Sequence, residues 1–222
     1  MGLELVASEI VTLSGVATRD YGPGERLGGD TTERLKELHV YIRNGAIALR
    51  VAAGGSTSAL VEVCGAGRLL PPQLWETKPG LESPYAIALV ATTTLELPAE
   101  LFERHVAAHP PLALAAWKAC QSAASLDRLA MLALRDPLRR VAHTLLLLLE
   151  RLSGAPGSVP GTRLEVGQEL IAAFASLSRQ TTNRQLRRLA RAGVAGLQRR
   201  VVDVQDLAAL RGVAAGRRSL AR

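Results

Sequence analysis

Residues 171–189 read IAAFASLSRQTTNRQLRRL, and along them a hydrophobic period interlocks with a basic face. The spacing predicts helix, turn, helix: Ile171, Phe174 and Ala175 fall on one side of the first segment, Ser176-Leu177-Ser178 make the break, and the second segment starts at Arg179. At helical spacing Thr182, Leu186 and Leu189 point one way, while Arg179, Gln180, Asn183, Arg184 and Arg187 point the other. The first side is core. The second carries what a major-groove helix needs, since Arg bonds guanine O6 and N7 through two donors, and Gln or Asn bonds adenine N6 and N7 in the same fashion. A solvated basic helix in an ordinary helical domain is the plainer alternative.

Charge weighs against that alternative. The 222-residue chain has a net charge of +7, but residues 1–136 carry 12 Lys+Arg against 15 acids, while residues 137–222 carry 15 Arg, no Lys and 5 acids. The first part is net −3 and the second net +10. This asymmetry suits a sensor or dimerisation module joined to a polyanion-binding module; charge alone admits DNA, RNA or a membrane surface as the polyanion. Apolar residues make up 48% of the chain, enough for one large or two modest cores. The longest Leu run, Leu145 to Leu149, is far too short to span a bilayer. The opening MGLELVASEI has no basic region ahead of an apolar one, so a cytoplasmic location is expected. Cys64 and Cys120 stand apart without CxxC or His spacing, and read as small apolar residues rather than as a disulfide or a metal site.

Outward toward the N-terminus, Leu3 to Leu97 shows short alternating apolar runs between turn signals such as Gly22-Pro23-Gly24, Gly28-Gly29-Asp30, Gly54-Gly55 and Pro71-Pro72, the pattern of a small antiparallel roll. Val40 to Arg43, then Asn44-Gly45, then Ala46 to Val51 predict a type I′ hairpin. Thr31 to Leu38 is a helical turn or loop, and Ala86 to Leu97 a strand pair or one long strand. At Pro98 the period changes: a short helix starts there, and Pro110-Pro111 open a longer one. Along it Leu112, Ala116, Ala119, Ala123, Leu126 and Ala130 form a heptad seam suited to a dimer interface, or to packing on the chain's own roll. Asp136-Pro137 marks a boundary, with Asp136 as N-cap of a helix from Leu138 to Leu152 whose face of Val141, Leu145, Leu148 and Leu152 is core. Ser153 to Gly161 is a loop. Beyond Ala192-Gly193, two β-prone pieces, Val194–Leu197 and Val201–Val204, are joined by Gln198-Arg199-Arg200 as a wing with a basic tip. Asp206 to Leu210 closes as a short helix, and Ala215 to Arg222 reads as a frayed basic tail.

The order of these parts resembles the Crp/Fnr superfamily of bacterial transcription regulators. The resemblance covers essentially the whole chain and is carried most by Arg140-Val141-Ala142-His143-Thr144-Leu145-Leu146 and Leu177-Ser178-Arg179-Gln180-Thr181, less by Gly24-Glu25, Gly29-Asp30 and Val40 to Gly45. It implies an α+β fold: a β-roll of the cyclic-nucleotide-binding type over residues 1–108, a dimerisation helix over 109–135, and a winged helix-turn-helix over 136–222. It also implies roles. Arg179, Gln180, Asn183 and Arg184 read bases, while Ser178, Thr181, Arg187, Arg188, Arg199 and Arg200 meet phosphates. Two departures stand out. Gln180 replaces the family's acid, which accepts from cytosine N4, and Ser176 stands where the family mostly has Gly.

The resemblance further implies a homodimer on a palindromic site of double-stranded DNA, with its two helices roughly 34 Å apart, and RNA polymerase as a partner. Members that bind cyclic nucleotide hold the phosphate with an Arg; here Glu82-Ser83-Pro84-Tyr85 offers a carboxylate instead, so tight binding of cyclic AMP or cyclic GMP is not expected. Two distant cysteines do not suit an iron-sulfur sensor. His39, His105, His109 and His143 read as surface or satisfied residues, so no cofactor is expected, with haem or an unidentified small molecule kept as the alternative effector. An enzyme fits less well: His39 is the only histidine before residue 105, too few for a metal-dependent cupin, and neither a Gly-rich phosphate loop nor a Ser-His-Asp arrangement is apparent. A nucleic-acid module that does not read sequence is the other competing class.

Overall fold

The structure, a computed structural model, describes residues 15–29, 32–52, 58–77, 82–109, 111, 113, 116, 120, 123–152 and 162–220. The chain divides into two compact units, one up to Ser122 together with Gly154–Pro156, the other Ala123–Ser153 with Gly157–Arg222.

In the first unit seven strands form two antiparallel sheets: β1 (Ala17–Tyr21), β2 (Leu38–Asn44), β3 (Ala46–Ala52), β4 (Ser58–Gly65), β5 (Leu69–Leu70), β6 (Pro84–Ala88) and β7 (Thr92–Pro98). The strand orders are β1-β7-β2-β5 and β4-β3-β6. Alternation in β2 sends Val40 and Ile42 to one face, where they meet Ile47 and Leu49 of the other sheet, Leu27, Leu35 and Trp75. Its opposite face sends Tyr41, with Leu69, Leu95 and Leu97, against Phe102 and Ala116. Phe102 belongs to α1 (Ala99–Ala108). The Thr31–Leu38 stretch holds a 3-10 helix, Glu33–Glu37. Glu96, 1% exposed, accepts from the Tyr21 hydroxyl at 2.8 Å and from Arg19 Nε at 3.0 Å, and also pairs with Arg34, which pins the edge strand β1 to β7.

The expected hairpin at Asn44-Gly45 is not formed. β2 pairs with β5 and β7, β3 with β4 and β6, so the turn carries the chain from one sheet into the other. Alternation reports which face of a strand is buried, and that is the same whether the next strand is a hairpin partner or lies across the core. Gly45 has φ +88, and a Cβ there would stand 2.5 Å from the Ala91 carbonyl and from Thr92 Oγ1. Thr92 Oγ1 closes the corner by accepting from Ala46 N at 3.2 Å and donating to Val90 O at 2.8 Å. The Ala86–Leu97 stretch is two strands, and they too lie in different sheets.

The second unit contains α2 (Ala123–Leu132), α3 (Pro137–Leu152), α4 (Gln168–Ala175), α5 (Arg179–Arg191) and α6 (Leu207–Ala214), with a sheet ordered β8 (Arg163–Leu164), β10 (Val201–Val204), β9 (Ala195–Gln198). Asp136 Oδ1 accepts from Leu138 N at 2.9 Å, as expected of the cap to α3, and Val141, Leu145, Leu148 and Leu152 are all buried. The strand β8 was not legible in sequence. The closing helix runs four residues past the expected Leu210, and the tail is not frayed as far as it is described: Leu220 is buried and its carbonyl accepts from Arg188 Nη2 at 3.0 Å. The loop 153–161, Leu112 and Ala119 lie outside the described residues. No helix of the described residues is long and apolar enough to cross a membrane.

Two outcomes follow from the first unit. Gly45→Ala should lower stability by about 3 kcal/mol or more, because it adds a left-handed backbone penalty to a backbone clash, read as a fall in urea midpoint. His39, its ring tilted 43° against that of Phe102 with centroids 4.3 Å apart, is held by burial at a pKa of about 4 instead of 6.5. The unfolded chain therefore takes up this proton first, so the contribution is present above pH 6.5 and is lost as pH falls from 6.5 toward 4. His39→Leu should flatten that part of the stability–pH curve, measured by urea unfolding at several pH values.

Candidate nucleic-acid interface

α4 ends because Ser176 turns left-handed, at φ 49 and ψ 48, so that Ser176 N and Leu177 N close onto the carbonyls of Ala173 and Ala172. The turn is thus closed by a non-glycine residue in a strained conformation. Ser178 then caps α5: its Oγ accepts from Thr181 N at 3.1 Å and bonds Thr181 Oγ1 at 2.9 Å. These two hydroxyls, expected at phosphates, bond each other in the structure.

α5 divides as its sequence period requires. Thr182, Leu186 and Leu189 are buried on one side together with Gln185, while Arg179, Gln180, Arg184 and Arg187 are exposed and Asn183 half-buried on the other. Gln180, Asn183, Arg184, Arg187 and Arg191 line a concave groove of about 770 Å³. Arg188 is half-buried, with Nη1 donating to Gln185 Oε1 at 3.1 Å and Nη2 to Leu220 O, so much of its donor capacity is used inside the domain. Arg199 and Arg200 are exposed at the β9–β10 turn, where Arg200 takes φ 64. The basic side chains thus lie on α5 and on the wing tip.

Sequence reasoning missed two members of this surface and one residue of the buried side. Glu169, in the first turn of α4, pairs with Arg179 through Oε1 and Nη1 at 3.1 Å; an acid ten residues before the leading Arg, across a tight turn, was the available signal. Gln185 is 4% exposed and looked polar. Arg191 extends the groove. Of the seam residues, Ala116 is 5% exposed and packs on the chain's own sheet, Ala130 is exposed beside Leu129, and Ala123 and Leu126 lie in α2. Among the described residues no group of three His, Cys, Asp or Glu is placed to hold a metal.

Ser176→Gly should remove the left-handed strain and raise stability by about 1 kcal/mol, visible as a rise of about 2–4 °C in Tm.

Residues 139–213 match the model of the Crp-like helix-turn-helix domain. None of the curated proteins matches the chain. Among solved structures, FixK2 from Bradyrhizobium japonicum is similar at a TM-score of 0.68 and 17% identity, covering 89% of this chain and 96% of that one. A CRP-family transcriptional regulator from Thermus thermophilus gives 0.65 and 20%, over 89% and 96%. The c-di-GMP responsive global regulator CLP of Xanthomonas campestris gives 0.64 and 18%, over 89% and 98%. The chain shares its fold with all three, and it carries a Crp-like helix-turn-helix domain.

Proposed function

We propose that this chain, which carries a Crp-like helix-turn-helix domain, controls transcription as a homodimer that reads a palindromic DNA site without needing cyclic AMP. One observation supports it above the others: α5 is fastened through Thr182, Gln185, Leu186 and Leu189 and presents Arg179, Gln180, Asn183 and Arg184 on the opposite side. A helix fixed on one face and furnished with base-reading side chains on the other can enter a major groove without reordering. Gln180 both donates and accepts where an acid only accepts, so preference at that base step moves away from cytosine, by about 1–3 kcal/mol for one bidentate contact. Arg187, Arg199 and Arg200 supply phosphate contacts, and Arg188 contributes through its remaining donors.

The homodimer reading draws on the small residues of the seam and on Leu129, 63% exposed beside Ala130 on α2. Independence from cyclic nucleotide rests on Glu82, exposed next to Ser83, whose hydroxyl is bonded to Thr77 at 2.6 Å. A phosphate bound beside Ser83 would meet the Glu82 carboxylate, which disfavours it. The role proposed is non-enzymatic, with RNA polymerase as the partner that a DNA-bound regulator meets at a promoter.

The deciding experiment is selection of bound sequences from a random duplex pool at fixed salt, with and without cyclic AMP. A two-fold symmetric motif in both conditions is the expected result; a motif only with cyclic AMP overturns the independence, and salt-sensitive binding without a motif favours a general nucleic-acid module. Replacing Arg179 and Arg184 together by Ala should abolish sequence selectivity. Arg187→Ala should weaken binding to every duplex about evenly and lower the slope of log K against log salt by about one.

A further inference from the structure

Within residues 168–191, which span both helices and the turn, Glu169 is the only acid among five arginines. Its carboxylate is 77% exposed and holds the guanidinium of Arg179, itself 72% exposed, at 3.1 Å. An ion pair so open to solvent adds little to stability, which leaves its placement to be explained by what approaches this surface. Resting on the reading that α5 reads bases, we propose that Glu169 is a specificity determinant: it penalises binding to the DNA backbone alone and spares binding to a site where Arg179 meets guanine.

Donor count and charge together give Glu169 this role. A guanidinium has five N–H donors in a planar fork. Guanine O6 and N7 take two of them, and Glu169 can keep another, so at the right base the carboxylate remains neutralised while Arg179 is aimed into the groove. On a duplex without that base, Arg179 is drawn to phosphate, the pair opens, and the Glu169 carboxylate faces a polyanion with its counter-charge withdrawn. Specificity is a difference between two affinities, and a repulsive group that acts on only one of them widens it. The acid missing at position 180 cannot do this work, because Gln180 carries no charge; the one carboxylate of the motif stands on α4 instead.

The test uses the full chain and compares wild type, Glu169→Gln and Glu169→Asp. Dissociation constants are measured over a range of salt for a duplex bearing the selected site and for a scrambled duplex of equal length. Because Glu169 and Arg179 are exposed, all three proteins are expected to fold alike, checked by Tm. Glu169→Gln should tighten binding to the scrambled duplex about fivefold at low salt and change the selected site less than about twofold, the difference closing as salt rises. Glu169→Asp, which keeps the charge, should bind the scrambled duplex as wild type does. An unchanged ratio in Glu169→Gln, an even loss on both duplexes, or a Glu169→Asp that tightens like Glu169→Gln overturns the proposal. A wild type that itself does not distinguish the two duplexes sinks the base-reading function, and this inference with it.

Discussion

The burial of α3 is the constraint on which residues 123–220 depend. Ten of its sixteen residues are buried, and α2, α4, α5, α6 and β8 all pack on it. A helix covered on so many sides reads as nearly continuous apolar sequence, and the run Leu145 to Leu149 is that signature. Because α5 is seated against α3 and α4 by its inner stripe, no other orientation of its charged face buries Leu186 and Leu189. The functional surface is therefore the remainder of a packing problem: what the core does not consume is presented outward.

Around this core, polar groups fasten the joints that apolar contact leaves loose. Arg128 of α2 and Arg151 of α3 both lie 4.9 Å from the ring of Phe174, which is fully buried on α4. Each such contact adds up to about 2 kcal/mol when desolvated, and the shared ring links three helices at one residue. Between α2 and α3, Thr144 donates to the Met131 sulfur at 3.0 Å, and Arg140 Nε donates to the Leu134 carbonyl at 3.1 Å. The latter satisfies a carbonyl of the connection between the two helices. Charge in this unit thus has two uses, and position on the helix separates them.

The helix-turn-helix was the most legible part, since its period, its cap at Ser178 and the break at Ser176 are local properties that a sequence displays directly. Gln185 was not, because only tertiary packing distinguishes a buried amide from an exposed one at the edge of an apolar stripe. Arg188 looked like its neighbours, and the carbonyl of Leu220 that engages it lies 32 residues away. β8 is two residues long and too short to show any alternation. At Asn44-Gly45 the positive φ falls on Gly45 alone, Asn44 closing β2, so neither the type I′ turn nor the pairing drawn from it is formed; sheet membership depends on Thr92 and β7, far along the chain. For the same reason the seam of small residues could be read as a stripe, but not as one whose Ala116 packs on the chain's own sheet.

That corner at Gly45 also bears on how the protein assembles. Successive strands that part into different sheets cannot zip up from a turn, so β1 must wait for β7 and β2 for the same strand, with Ala17 paired to Glu96 and Leu38 to Pro98. The second unit mixes local packing, α4 with α5 and β9 with β10, with packing from far along the chain, α3 with α6. Chains rich in local contacts fold faster than those built on distant pairings. Within the roll, β3 with β4, adjacent in the chain, is therefore the pairing expected early, and those of β1 and β2 with β7 the ones expected late.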